Sequence, residues 1–169
     1  FQSGGDAITD TSITYVNTSG NTWTAAYTAD TDDTAGSVTY SIAFSDSAGN
    51  AGVAVTSGTG SVTFDKTAPT ISSVSLNAAN SELTVTFAES VYDTDGATGD
   101  LEAADFALSI SGGTATVSST PASIAKTSQT IWVLSLTTSG TADGSEVISV
   151  VPASGASIYD TAGNAASTT

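Results

Sequence analysis

Val38, Tyr40, Ile42 and Phe44 take every second position of residues 37–44, with Thr39, Ser41 and Ala43 between them. A two-residue period is that of a strand with one face buried and the other wet, and it does not fit an α-helix. The alternation returns as Trp23/Ala25/Tyr27, Leu83/Val85/Phe87, Phe106/Leu108/Ile110, Trp132/Leu134/Leu136 and Val147/Ser149/Val151. Between the runs lie turn formers such as Thr18-Ser19-Gly20-Asn21 and Ser111-Gly112-Gly113, where Gly and Asn tolerate the backbone of tight corners. Many short strands punctuated by turns predict an all-β chain of antiparallel sandwich type. The one helical signal, Leu101-Glu102-Ala103-Ala104-Asp105, suffices for a single turn.

Charge narrows the partners. Of the 169 residues 39% are hydrophobic, enough for a core, whereas only 11% are charged, against a usual share of about 25%. Seventeen acidic residues face two basic ones, a net charge of −15. That field repels phosphate backbones and anionic lipid, so nucleic acid is not an expected partner, and it attracts cations. The chain has no Cys and no His, which excludes disulfides, thiol nucleophiles, zinc clusters of the nitrogen–sulfur kind and serine–histidine catalysis. No apolar run reaches the roughly 18 residues of a membrane-spanning helix, so direct membrane insertion is not expected. Residues 1–5, Phe-Gln-Ser-Gly-Gly, read as the remnant of a cleavable affinity tag and are set aside, with an export signal and anchor expected outside this stretch of chain.

The corner Asp46-Ser47-Ala48-Gly49-Asn50-Ala51 recurs as Asp160-Thr161-Ala162-Gly163-Asn164-Ala165. In both, Asp is placed to cap a turn, and the repetition suggests two like units. Pro69 in Phe64-Asp65-Lys66-Thr67-Ala68-Pro69-Thr70 cannot join a central ladder and marks a short, stiff connector. The expected organisation is a partial sandwich over 6–66 and a complete one over 67–169.

Three stretches carry a resemblance: Thr18-Ser19-Gly20-Asn21-Thr22-Trp23-Thr24-Ala25-Ala26-Tyr27; Phe44 to Asn50 followed by Val62-Thr63-Phe64-Asp65-Lys66-Thr67-Ala68-Pro69-Thr70; and Val85 to Tyr92 with Leu101 to Phe106 and the closing Ile158-Tyr159-Asp160-Thr161-Ala162-Gly163-Asn164. Together they resemble the tandem immunoglobulin-like repeats of large bacterial adhesins and other extracellular surface proteins. The resemblance implies immunoglobulin-like β-sandwich units in tandem, the first of them partial. It also implies a non-enzymatic spacer or adhesive role at the bacterial cell surface, neighbouring units of the same chain as partners, a cell-surface or glycan ligand, and stiffening by Ca²⁺ near junctions.

The densest acidic stretch, 89–105, holds Glu89, Asp93, Asp95, Asp100, Glu102 and Asp105. Asp93-Thr94-Asp95-Gly96 begins like a calcium loop but is not an EF-hand, because Ala97 and Ala104 stand where that loop needs oxygen ligands. Calcium accepts roughly six to eight oxygens in flexible geometry, so Glu89, Asp93, Asp95, Asp100 and Asp105 are its candidate ligands, against the alternative of a solvated acidic loop. A weaker candidate is a junction site from Asp30, Asp32 and Asp65, with Asp33 in the same loop. Asp46 and Asp160 are read as turn caps rather than ligands.

Glu89 with a second acid could form a glycosidase pair, but catalysis is not expected. Glu82, Glu102 and Glu146 are read as exposed. Trp23 and Trp132 are candidate sugar-stacking platforms, with sheet packing as the alternative, which keeps a carbohydrate-binding module as the rival function. An S-layer component is a further rival. Lys66 and Lys126 are expected to be ordinary surface lysines rather than partners in an isopeptide bond.

Overall fold

The structure, a computed structural model, describes residues 1–9 and 13–169. The described residues are all β apart from one 3-10 turn, Ala103–Asp105. The chain divides into two compact units, Phe1–Lys66 and Thr67–Thr169.

The Thr67–Thr169 unit contains the strands β7 (Ile71–Leu76), β8 (Glu82–Phe87), β9 (Phe106–Ser111), β10 (Thr116–Val117), β11 (Ser123–Lys126), β12 (Ile131–Ser135), β13 (Thr138–Ser139) and β14 (Val147–Pro152). One antiparallel sheet has the order β11-β12-β8-β7; β14 pairs with β9, and β10 with β13. Register explains the core. Val85 opposes Trp132 and Leu83 opposes Leu134. Directly opposed residues share a face, so Leu83, Val85, Phe87, Trp132 and Leu134 form one buried surface. Phe106, Leu108 and Val150 supply the other. Val91, Leu101, Ile158 and Ala166 close the same core from the loops. Two apolar layers with a shared interior make this unit sandwich-like. Each fully buried large side chain contributes roughly 1.5–3 kcal/mol relative to exposure.

The β14 alternation differs from the sequence expectation. Val147 is exposed, while Val150 and Pro152 are buried, so the inward set is Ile148/Val150/Pro152 rather than Val147/Ser149/Val151. The run Val147-Ile148-Ser149-Val150-Val151-Pro152 is apolar in both parities, and pattern alone cannot choose between two registers offset by one residue.

The Phe1–Lys66 unit contains β1 (Gln2–Ser3), β2 (Asp6–Ala7), β3 (Thr14–Ser19), β4 (Thr22–Ala26), β5 (Gly36–Thr39) and β6 (Val62–Phe64). The first sheet runs β2-β1-β5-β6, and β3-β4 forms a separate hairpin. Residues 1–5, set aside in the sequence reading, are part of this fold: β1 lies between β2 and β5, and Ser3 Oγ donates to Thr34 O at 2.6 Å. The expected strand over 37–44 is cut short at Thr39 and continues as isolated bridges, Ile42 to Val55 and Ser45 to Ala51. Among the described residues of this unit the buried side chains are Ser3 and Asp33, both polar. Several of its apolar side chains, Trp23, Phe44 and Val53 among them, stand in solvent, while Phe1, Tyr27, Val38, Tyr40 and Phe64 are half-buried.

Candidate metal centre

The acidic stretch of the Thr67–Thr169 unit is anchored at several points. Ala88 N donates to Thr70 O, and Val91 N to Gln129 O. Tyr92 and Tyr159 exchange both backbone hydrogen bonds at 2.8 Å. Thr94 closes a turn on Thr98 O through its N–H and its hydroxyl. These contacts fix where each carboxylate emerges, and the five expected ligands separate into different surroundings.

Asp93 is half-buried, and its Oδ1 is shielded from solvent with no hydrogen-bond partner among the described residues. The carboxylate lies over Gly99, where a Cβ would collide with it. Gly99 also has φ +79°, so only a glycine lets the acid settle there. Asp105 belongs to the same environment. Its Oδ2 accepts from Glu102 N at 2.7 Å and closes the 3-10 turn. Burial pushes the Asp105 carboxyl above its usual range, the hydrogen bond from Glu102 opposes this, and the charges of Asp93 and Glu102 push it further up. An unsatisfied buried carboxylate oxygen beside a second desolvated carboxylate is an unfavourable arrangement.

The other three expected ligands face elsewhere. Asp95 is exposed and leans on Gly163 at the second Asp-x-Ala-Gly-Asn corner. Glu89 is half-buried and already engaged, with a carboxylate oxygen within 4.8 Å of one from Asp160. Asp100 is paired with Lys126 Nζ at 2.5 Å, and that ammonium sits 5.6 Å from the centre of the Trp132 ring. Sequence gave no sign of the pair, because Lys126 arrives from β11.

The junction candidates lie in the Phe1–Lys66 unit. Asp30 Oδ1 accepts from Asp32 N, and Asp33 Oδ2 from Asp30 N. Asp33, 1% exposed, also accepts from Thr9 N and Thr9 Oγ1. Hydrogen bonds from Asp30 and Thr9 hold its carboxyl below the usual range, against a smaller effect of burial and with help from the Lys66 charge. Lys66 Nζ donates to Thr31 O and Asp33 O at 2.7 and 3.0 Å, so an ammonium already supplies positive charge to this loop. Asp65 follows β6, half-buried and engaged.

The repeated corners are turn caps. Asp46 Oδ1 accepts from Ala48 N and Asn50 N, and its Oδ2 from Asn50 Nδ2. Asp160 makes the same three bonds to Ala162 N, Asn164 N and Asn164 Nδ2. Gly49 and Gly163 occupy matching positions at φ +88° and +91°.

Glu146, expected to be exposed, is a caged anion. Oε1 accepts from Thr114 N, Ala115 N and Asp143 N, and Oε2 from Asp143 N and Gly144 N. Burial works to raise its carboxyl, but these backbone donors outweigh it and bring the pKa down to about 2. The available signal was the glycine density around it, at 112, 113, 140 and 144. Trp132 is 1% exposed, with Nε1 donating to Gln129 O, which leaves it no role as a sugar platform. No described helix is long and apolar enough to cross a membrane. No family model matches this chain, nor does any curated protein or solved structure.

Proposed function

We propose that this chain is a non-catalytic spacer and adhesive module of a large exported bacterial surface protein, with immunoglobulin-like units, and that Ca²⁺ orders the acidic loop of its Thr67–Thr169 unit. The observation that carries the reading is Asp93 Oδ1, buried and without a hydrogen-bond partner among the described residues, beside the desolvated carboxyl of Asp105. Both groups offer hard oxygen donors, the chemistry that Ca²⁺ prefers over transition metals. Asp93 and Asp105 would hold the ion, and the ion would supply these two carboxylates with the positive charge that Lys126 gives to Asp100. Glu89 and Asp95 are less suited, being directed toward the Asp160 corner, and Asp100 least, because Lys126 neutralises it. A non-catalytic role is supported by the state of Asp160: both its oxygens serve backbone and amide donors, which takes it out of acid–base work with Glu89.

Mechanically, binding that occurs only in the folded state adds to stability by mass action, about 2.7 kcal/mol at a hundredfold excess over Kd. A scaffold exposed to extracellular calcium would gain resistance to unfolding of the loop that closes its core through Val91 and Leu101. Thermal melts with millimolar Ca²⁺ and with excess EGTA test this. The expected result is a higher melting temperature with Ca²⁺. Identical melts, together with no heat in a calorimetric titration, would remove calcium from the reading.

A further inference from the structure

Tyr15 pairs with Ala25 and Asn17 with Trp23 across the β3–β4 hairpin. Opposed residues, and residues two apart on a strand, point to the same side. Tyr15, Asn17, Trp23 and Ala25 therefore share one face, with the two rings at diagonal positions about 7–8 Å apart along the backbone. Tyr15 is 67% exposed and Trp23 65%. Neither ring stacks on another aromatic among the described residues, unlike Phe1 and Tyr27, whose centroids lie 5.8 Å apart. Trp23 Nε1 has no acceptor among the described residues. Asn17 Nδ2 is held by Gly20 O at 2.9 Å, which fixes the amide and leaves its oxygen to accept.

Two features identify the occupant. The chain carries a net charge of −15, yet residues 13–28 contain no Asp, Glu, Lys or Arg. A charged partner finds nothing here to pair with, so the complementary ligand is neutral. The face also sets the Asn17 amide and the Ala25 methyl between the two rings rather than forming a continuous aliphatic surface. An apolar protein patch would leave the Asn17 amide oxygen and Trp23 Nε1 unpaired on docking. A sugar meets both requirements, because its C–H face packs on an aromatic ring while its hydroxyls bond to the groups around it. Two rings on one open strand face suit successive pyranose units of an extended chain, not a single residue enclosed between walls.

We propose that the Tyr15–Trp23 face of the β3–β4 hairpin is a binding platform for an extended, neutral oligosaccharide. The site is independent of calcium, because it contains no carboxylate.

The test is a titration of the intact chain with cellohexaose and chitohexaose, with polygalacturonate as the anionic contrast. Trp132 is buried and gives a constant background, so a blue shift in tryptophan emission reports Trp23. The expected result is a shift with a neutral hexaose and none with polygalacturonate. Trp23→Ala and Tyr15→Ser each weaken binding about tenfold, the upper range for one stacked ring. Trp23→Phe retains most of the affinity, and Val16→Ser on the opposite face leaves it unchanged. Should Trp23→Ala fail to fold, Tyr15→Ser decides by the same criterion. The proposal is overturned by absence of a shift with either hexaose at millimolar concentration, by equal binding of polygalacturonate, or by a Val16→Ser loss matching that of Trp23→Ala. It is overturned too if sedimentation shows a self-association that Trp23→Ala abolishes, since a second copy would then be the occupant.

Discussion

The rings of Phe87 and Phe106 lie 6.3 Å apart and tilted by 53°, one from each layer of the Thr67–Thr169 unit. This geometry is near the favoured edge-to-face range, so the pair contributes beyond its buried area. Phe106 is 1% exposed, and Phe106→Ala is expected to destabilise this unit by about 3–5 kcal/mol, the usual range for deleting a buried ring. Urea denaturation followed by Trp132 emission measures it, because Trp132 reports the same core. A loss under about 1 kcal/mol would mean that the two layers do not pack as described.

Asp46 and Asp160 make the same three hydrogen bonds but differ in surroundings: Asp160 is 0% exposed and Asp46 is in solvent. Removing a buried acceptor strands donors that water cannot reach. Asp160→Ala is therefore expected to cost roughly 2 kcal/mol or more, and Asp46→Ala much less, since water takes over its donors. Paired thermal melts of the two variants give the comparison. Equal shifts would show that the corner's own geometry, not its burial, sets its worth.

How far the sequence carried depends on whether a property is local. The Leu83/Val85/Phe87 and Phe106/Leu108 alternations fixed their faces, because their intervening residues are Thr, Ala or Ser. The Asp-x-Ala-Gly-Asn caps were readable for the same reason, all their partners lying within four residues. Residues 147–152 were ambiguous because both parities are apolar. Burial in the Phe1–Lys66 unit was not readable at all: Trp23 alternates as well as Trp132 does, yet one is 65% exposed and the other 1%. The acidic stretch was visible as a cluster, but its division was not, since Lys126 reaches Asp100 from 26 residues away. The cage around Glu146 is not legible in sequence, because its donors come from residues 114 and 115 as well as 143 and 144.

Glu146 predicts an acid-dependent loss of stability. Its folded pKa is lowered from 4.5 to about 2. A depressed carboxyl contributes stability that is complete above its unfolded pKa and disappears as pH falls through the folded value. Melting temperature should thus decline between pH 4.5 and about 2. Glu146→Gln should flatten this contribution and lower stability at neutral pH, because its NH₂ group meets backbone donors instead of accepting from them. Melts of both proteins across that interval test the sign. A variant with the parent's neutral-pH stability and acid slope would show that the cage contributes nothing.

Lys66 allows a similar test in the Phe1–Lys66 unit. Its ammonium donates to Thr31 O and Asp33 O, and it lies 6.0 Å from the centre of the Phe64 ring. Lys66→Met keeps the stem but removes the donors, leaving the loop of Asp30, Asp32 and Asp33 without its ammonium. The expected outcome is faster backbone hydrogen exchange in residues 30–34, with the Thr67–Thr169 strands unchanged. Unchanged exchange in the loop would show that its internal aspartate caps suffice.

Asp93→Asn separates the two costs proposed for the acidic loop. Without calcium, the substitution removes one of the charges that press on Asp105 and supplies an NH₂ donor in place of a bare oxygen. The variant is expected to melt at or above the parent in EGTA, by about 1 kcal/mol of stability. With millimolar Ca²⁺ the order should reverse, because the parent gains binding energy and the variant has lost a charged ligand. The crossing of the two orders is what distinguishes a cation site from a merely strained loop. A strained loop would leave the variant ahead under both conditions, and a structural role for the Asp93 charge itself would leave it behind under both.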